Sequence, residues 1–475
     1  MGRPKLPRLL ACGLLAIAAT AAGAPGVGSA EVDAALARAR VPAEAFSALV
    51  QEVGGGRTRL AWRRDQPANP ASLMKLVTTY AALDLLGPAW TWSTPVWLLG
   101  PVRGGVLEGD LAIKGSGDPK LVLERIWLLL RRLQQQGVRE IRGDIVLDRT
   151  AFAAPEQGPA DFDGEPLRPY NARPDALLLN YRSVLLTFTP DPASGRASVA
   201  AEPPLAGVRI DATVALQSGP CEDWQGGLKA DFTDSGQIRF EGAYALSCGA
   251  KPWAIAYADP RTYNERALAG LWAEMGGRLG GRVRDGAAPS TLPSFEVVSP
   301  MLSEVVRDIN KFSNNVMAEQ LFLTLGLARR GLGTPETARS VMASWLSDRL
   351  GASAAGAVID NGSGLSRQTR VSAQLLAELL QAAWAGPVMP ELMASLPVAG
   401  IDGTLRRVRG LAGRAHLKTG SLRDVVGIAG YVLGRSGRRY VVVGIVNHAN
   451  ANAARPALES LVLWAVDDGA AAPAR

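Results

Sequence analysis

An α+β architecture, an antiparallel sheet flanked by helices with a large, mainly β insertion, follows from three features of the sequence. Apolar runs of strand length sit near both chain ends. Runs with helical spacing accompany them, and a long middle stretch is rich in short strand-like runs and turns. At 475 residues the chain is also too long for one average domain.

Residues 1–30 have the layout of a secretory signal peptide. Arg3, Lys5 and Arg8 make a basic start, residues 9–22 an apolar stretch, and Gly28-Ser29-Ala30 a small-residue exit, with cleavage expected after Ala30. That stretch is short for a membrane span, and no other segment is a candidate anchor. Leu10-Ala11-Cys12 resembles a lipid-attachment site but has almost no apolar run before it. Residues 46–53 and 58–63 then read as paired strands about the flexible Gly54-Gly55-Gly56 turn. A helix is expected over 71–86, with Leu73, Leu76, Tyr80, Leu83 and Leu86 at helical spacing and Gly87-Pro88 ending it. Ser72 would lie at its N-terminus, where free amides and the helix dipole favour a developing negative charge.

In the middle, residues 106–114, 143–147, 183–189, 208–216 and 237–244 read as strands and 261–275 as a helix. Near the C-terminus, 414–422, 427–433 and 438–447 are expected as successive strands, the last two joined at Gly434-Arg435-Ser436-Gly437. A helix over 456–466 closes the chain. About half the chain separates Ser72 from Ser313, more than one compact catalytic domain requires. The expected organisation is a catalytic domain of 31–95 and 298–475, an inserted domain of 96–178 and 259–297, and a nested β domain of 179–258.

The composition, 47% apolar and 20% charged, fits a soluble globular protein. Three of the seven net positive charges lie in residues 1–30, leaving +4, a mildly basic surface that suits an anionic polymer such as a cell wall. No dense Lys/Arg run with interleaved aromatics indicates nucleic-acid binding. Cys221 and Cys248 remain after export and are expected to pair in an oxidising compartment. The closed loop of about 27 residues would contribute roughly 3–4 kcal/mol. With only His416 and His448 present, a histidine-based triad or a zinc site has little support, and no metal or cofactor is expected. His416 shares a strand face with Lys418 and reads as structural. Residues 115–119 lack the Gly-Lys-Ser/Thr ending of a phosphate loop and read as a turn.

Three motifs carry the chemistry. Ser72-Leu73-Met74-Lys75 places a lysine one helical turn after a serine. A buried lysine can lose its proton near neutral pH and then take one from the hydroxyl. Ser313-Asn314-Asn315 precedes a helical run, and Lys418-Thr419-Gly420 lies on a strand. Each motif alone is weak, since serine and asparagine also cap helices. In this order and context they describe acyl transfer by a lysine-activated serine.

With these motifs the chain resembles the D-alanyl-D-alanine carboxypeptidase/endopeptidase family, the class C low-molecular-mass penicillin-binding proteins, over nearly all its mature length. Further matching segments are residues 114–119, 143–148, 360–367 and 400–405. In the third, Asn361 stands where the family usually has Asp. The resemblance implies a penicillin-binding/β-lactamase-like transpeptidase domain and these roles. Ser72 is the nucleophile and Lys75 its base. Ser313 relays protons with Lys418, and Asn315 orients Lys75 and the substrate amide. Lys418 and Thr419 hold the terminal carboxylate, and the amides of Ser72 and Ser421, beside Gly420, form the oxyanion hole. Ser363, Leu365 and Arg367 belong to the loop expected to meet a diaminopimelate-like stem residue. Asp163 or Glu165, ahead of Tyr170, would meet its amine. The implied protein is a periplasmic or wall-space serine peptidase of peptidoglycan stem peptides, inhibited by β-lactams. A β-lactamase and a non-catalytic wall-binding protein are the alternatives.

Overall fold

The structure is a computed structural model that describes residues 1–2, 26–153, 158–411 and 413–469. Most of the expected leader, including its apolar stretch and Cys12, lies outside the described residues. Val27 and Ser29 are buried, and the Val27 amide donates to Asp33 Oδ1 at 2.8 Å. The cleavage point expected after Ala30 thus falls at the first residue of helix Ala30–Arg38, just after packed residues.

One five-stranded antiparallel sheet joins the two chain ends. Its order is Thr58–Trp62, Phe46–Glu52, Arg439–Asn447, Val425–Leu433, Ala415–Leu422. Alternate residues of a strand face opposite sides. Tyr431, Val441, Val443 and Ile445 pack with helices Met74–Leu86, Leu302–Phe312, Asn315–Arg330 and Ala373–Ala385. Val426, Ile428, Val432, Val442 and Val446 pack on the other face with helices Ala30–Arg38 and Arg455–Val466. Because both faces are covered, the two central strands read as nearly unbroken apolar runs. The edge strand Ala415–Leu422 lies against the single turn Ala71–Leu73, which leads into helix Met74–Leu86.

Residues 93–298 build further sheets. One has the order Val283–Asp285, Ile145–Asp148, Asp110–Lys114, Ser93–Leu99, Phe295–Val298. Another has the order Ala243–Ala245, Thr213–Gln217, Arg196–Glu202, Ser183–Asp191, Lys251–Ala256. A single hydrophobic core runs through both, taking Val96, Ile113 and Leu147 from the first and Leu186, Phe188, Val214 and Tyr244 from the second. The expected division at 179 and 258 therefore does not separate two cores. Strand Ser93–Leu99 also crosses residue 95, the expected edge of the catalytic domain.

Three expected strands are each broken in two. Residues 106–114 supply Val106–Leu107 to one sheet and Asp110–Lys114 to another. Residues 208–216 and 237–244 divide likewise, because the chain crosses between sheets at each break. Helix Leu123–Gln135, absent from the strand-rich reading of this region, buries Ile126, Leu129, Leu130 and Leu133 along one face. Cys221 and Cys248 are bonded, as expected. No helix among the described residues is long and apolar enough to cross a membrane.

Candidate active site

The Ala71–Leu73 turn brings Ser72 to the edge strand, and Lys75 follows in the first turn of the helix. Lys75 is fully buried, with Nζ 3.0 Å from Ser72 Oγ and 2.6 Å from both Asn315 Oδ1 and Ser363 O. A neutral amine has two hydrogens and one lone pair. The two carbonyl oxygens take the hydrogens, so the lone pair faces the Ser72 hydroxyl. Burial, and then the Lys418 charge, hold Lys75 well below the usual lysine range, while Glu319 pulls the other way. The neutral form is the one able to accept the serine proton.

Helix Leu302–Phe312 ends at Ser313, whose φ of 56° is left-handed. The next helix opens at Asn315, capped by Asn314, which accepts from the Met317 amide at 3.0 Å. This break aims Ser313 and Asn315 at one place. Lys418, also fully buried, donates to Ser313 Oγ and to Thr419 O at 2.8 Å each. Burial lowers its pKa to about 7. Gly420 permits the close approach of strand and nucleophile turn, since a Cβ there would lie 2.7 Å from Pro70 O. Gly364, with φ 81°, does the same for the loop bearing Ser363, because a Cβ would collide with Ala71 O.

Ser72, Lys75, Ser313, Asn315 and Lys418 are thus brought together. Thr419 stands beside them, its Oγ1 2.9 Å from Thr404 Oγ1. Ser421 is exposed and accepts from Arg455 Nη2 at 2.7 Å. Ser363 departs from its expected role. Its residue is fully buried, its carbonyl serves Lys75, and its hydroxyl lies 3.0 Å from Glu319 Oε1, so it does not face substrate.

Leu365 and Arg367 line a cleft of about 1220 Å³ together with Asp161, Phe162, Arg173 and Glu319. This cleft lies beside the Ser72 centre and shares with it the 360–367 loop and helix Asn315–Arg330. Arg367 pairs with Asp424 at 2.8 Å and sits 5.0 Å over the Phe162 ring. Asp163 and Tyr170 meet each other at 2.9 Å, and Asn171 Nδ2 also donates to Asp163 at 2.8 Å. Partial burial raises the Asp163 pKa, but these bonds outweigh it and hold the carboxyl below its usual range. From this loop Asp161 and Phe162 line the cleft, together with Gly158, Pro159 and Pro166. Glu165 faces Arg168 at 3.6 Å.

Two neighbours of the site were not foreseen. Glu319 lies one helical turn after Asn315, a spacing that could have marked it. Burial pushes its carboxyl up to about 7, against the Arg173 charge and the Ser363 bond. Asn361, in the place of the family's Asp, donates to Glu319 Oε1 at 3.2 Å and accepts from the Ser363 amide at 3.1 Å. Thr404 lies in the matched 400–405 segment, where nothing local signals its contact. His416 is half-buried, with its pKa lowered by burial. No group of three or more metal-ligating side chains occurs among the described residues.

A model of the D-Ala-D-Ala carboxypeptidase 3 (S13) family matches residues 28–467. The chain belongs to this family. It is 33% identical over 377 residues to a D-alanyl-D-alanine carboxypeptidase of Actinomadura sp. (strain R39), across 74% of this chain and 68% of the relative. It is 23% identical over 354 residues to the D-alanyl-D-alanine carboxypeptidase DacB of Haemophilus influenzae, across 72% of this chain and 71% of that protein. Among solved structures, penicillin binding protein 4 of Haemophilus influenzae has the same fold, with a TM-score of 0.69 at 20% identity, over 85% of this chain and 90% of the other. S13 membership makes the chain a serine-type hydrolase.

Proposed function

We propose that this S13 member is an exported serine D-Ala-D-Ala carboxypeptidase, a D,D-endopeptidase, or both, acting on peptidoglycan stem peptides and inhibited by β-lactams. The observation that carries the reading is the pairing of two buried lysines with two serines, Lys75 with Ser72 and Lys418 with Ser313. Ser72 Oγ attacks the carbonyl of the penultimate D-alanine while its proton passes to Lys75. The amides of Ser72 and Ser421 receive the oxyanion. Ser313, beside Lys418, hands a proton to the leaving amine, and the C–N bond breaks. Lys418 and Thr419 hold the terminal carboxylate. Water then hydrolyses the acyl-enzyme. A penicillin leaving group stays attached after ring opening and hinders that water.

Arg367 on the cleft wall suits the carboxylate of a diaminopimelate-like stem residue, and the acidic 161–165 loop suits its amine. The leader of residues 1–30 directs the chain across the inner membrane to the periplasm or wall space. Digestion of purified pentapeptide and cross-linked muropeptides, read by mass spectrometry, tests the reading. Loss of one terminal alanine, resolution of dimers, or both are expected, and Ser72→Ala abolishes them. Rapid penicillin turnover without muropeptide products would make the chain a β-lactamase. Neither product nor penicillin adduct would make it a non-catalytic wall-binding protein.

A further inference from the structure

We propose that Thr404 is a positioning residue that fixes the Thr419 hydroxyl as a donor toward the substrate's terminal carboxylate. This rests on the reading above, in which Lys418 and Thr419 hold that carboxylate. The two hydroxyl oxygens lie 2.9 Å apart, and either can donate to the other. A hydroxyl has one hydrogen and two acceptor sites. When a carboxylate binds, the Thr419 hydrogen must go to the anion. The hydrogen between the two threonines must then come from Thr404. Donation into the Thr419 oxygen limits its rotation and polarises its O–H, which strengthens the bond to the anion.

The loop bearing Thr404 is built to hold this position. Asp402 accepts from Lys311 at 2.6 Å and from the Val398 amide at 2.8 Å, while Lys311 itself is buried two residues before Ser313. Leu405 is buried, and its carbonyl accepts from the Gly400 amide at 3.0 Å. The loop therefore spans from the Ser313 helix to the Thr419 strand. Thr404 itself is exposed, so core packing does not account for a threonine at this position.

The test compares a peptide ending in D-Ala-D-Ala with its C-terminal amide, using the full chain. For the free acid, Thr404→Val is expected to raise KM about five- to tenfold with kcat within twofold, the mark of a lost ground-state hydrogen bond to an anion-binding group. For the amide, kcat/KM is expected to change less than twofold. Thr404→Ser restores the acid substrate, and Thr404→Ala repeats the valine result if valine perturbs the melting temperature. Equal losses on both substrates, or no loss on the acid, overturn the inference. A wild-type enzyme that does not distinguish acid from amide overturns the carboxylate reading itself, and the role of Thr404 with it.

Discussion

Lys75 and Lys418 are both fully buried, and the proposed mechanism asks opposite protonation states of them. Lys75 must be neutral to accept a proton, and Lys418 must be charged to hold a carboxylate. In the free enzyme kcat/KM should therefore rise with pH as Lys75 loses its proton, then fall as Lys418 loses its own near its pKa of about 7. A bound carboxylate stabilises the Lys418 cation, so the basic limb of kcat should lie at higher pH than that of kcat/KM. Coincident basic limbs would remove Lys418 from carboxylate binding. Glu319 raises the Lys75 pKa where it is ionised, and its own pKa of about 7 leaves it largely protonated along the acid limb, so Glu319→Gln should move that limb little. A downward shift of about a unit or more would show that Glu319 stays charged beside Lys75. That the motif serines and lysines would meet was legible because each motif stood in the helix-start, pre-helix and strand context that such a meeting needs. The inward turn of Ser363 was not, because it depends on a left-handed glycine on either side, at Gly362 and Gly364, and on a buried partner, Glu319, from helix Asn315–Arg330.

The contact between the edge strand and the nucleophile turn sets the depth of the site. Gly420→Ala should push Pro70 and Ser72 away from Lys418. Acylation by fluorescent penicillin is expected to slow about tenfold or more, as misplaced reacting groups do, with the fold retained. Wild-type labelling would show that the strand can shift without consequence. The elements of the central sheet were readable because both ends of the chain carry long apolar runs with clear turns. The broken strands at 106–114, 208–216 and 237–244 were not, because crossing from sheet to sheet leaves the apolar pattern continuous. Helix Leu123–Gln135 did carry helical spacing at Ile126, Leu129, Leu130 and Leu133, which its strand-rich surroundings masked.

Across the chain, the sheet that holds the site and the core of the inserted region are separate hydrophobic clusters. The Cys221–Cys248 bond lies in the second of them, across a sequence separation of 27 residues. Replacing both cysteines by serine should destabilise the inserted region by roughly 3 kcal/mol in thermal unfolding. Penicillin acylation at 25 °C should stay within twofold of wild type. Loss of acylation in a folded variant would show that the insertion shapes the Ser72 centre directly. That an insertion exists was legible from the distance between Ser72 and Ser313. That its two expected domains share one core was not, because packing between sheets has no local sequence signal.

The decisive measurement is the second-order rate of penicillin acylation in wild type and Lys75→Met, with the acylated peptide mapped by mass spectrometry. Acylation is expected on Ser72 alone, slowed by about a thousandfold or more without the Lys75 amine. An adduct on any other residue, or a Lys75→Met rate near wild type, would contradict proton transfer from Ser72 to Lys75 and the mechanism built on it.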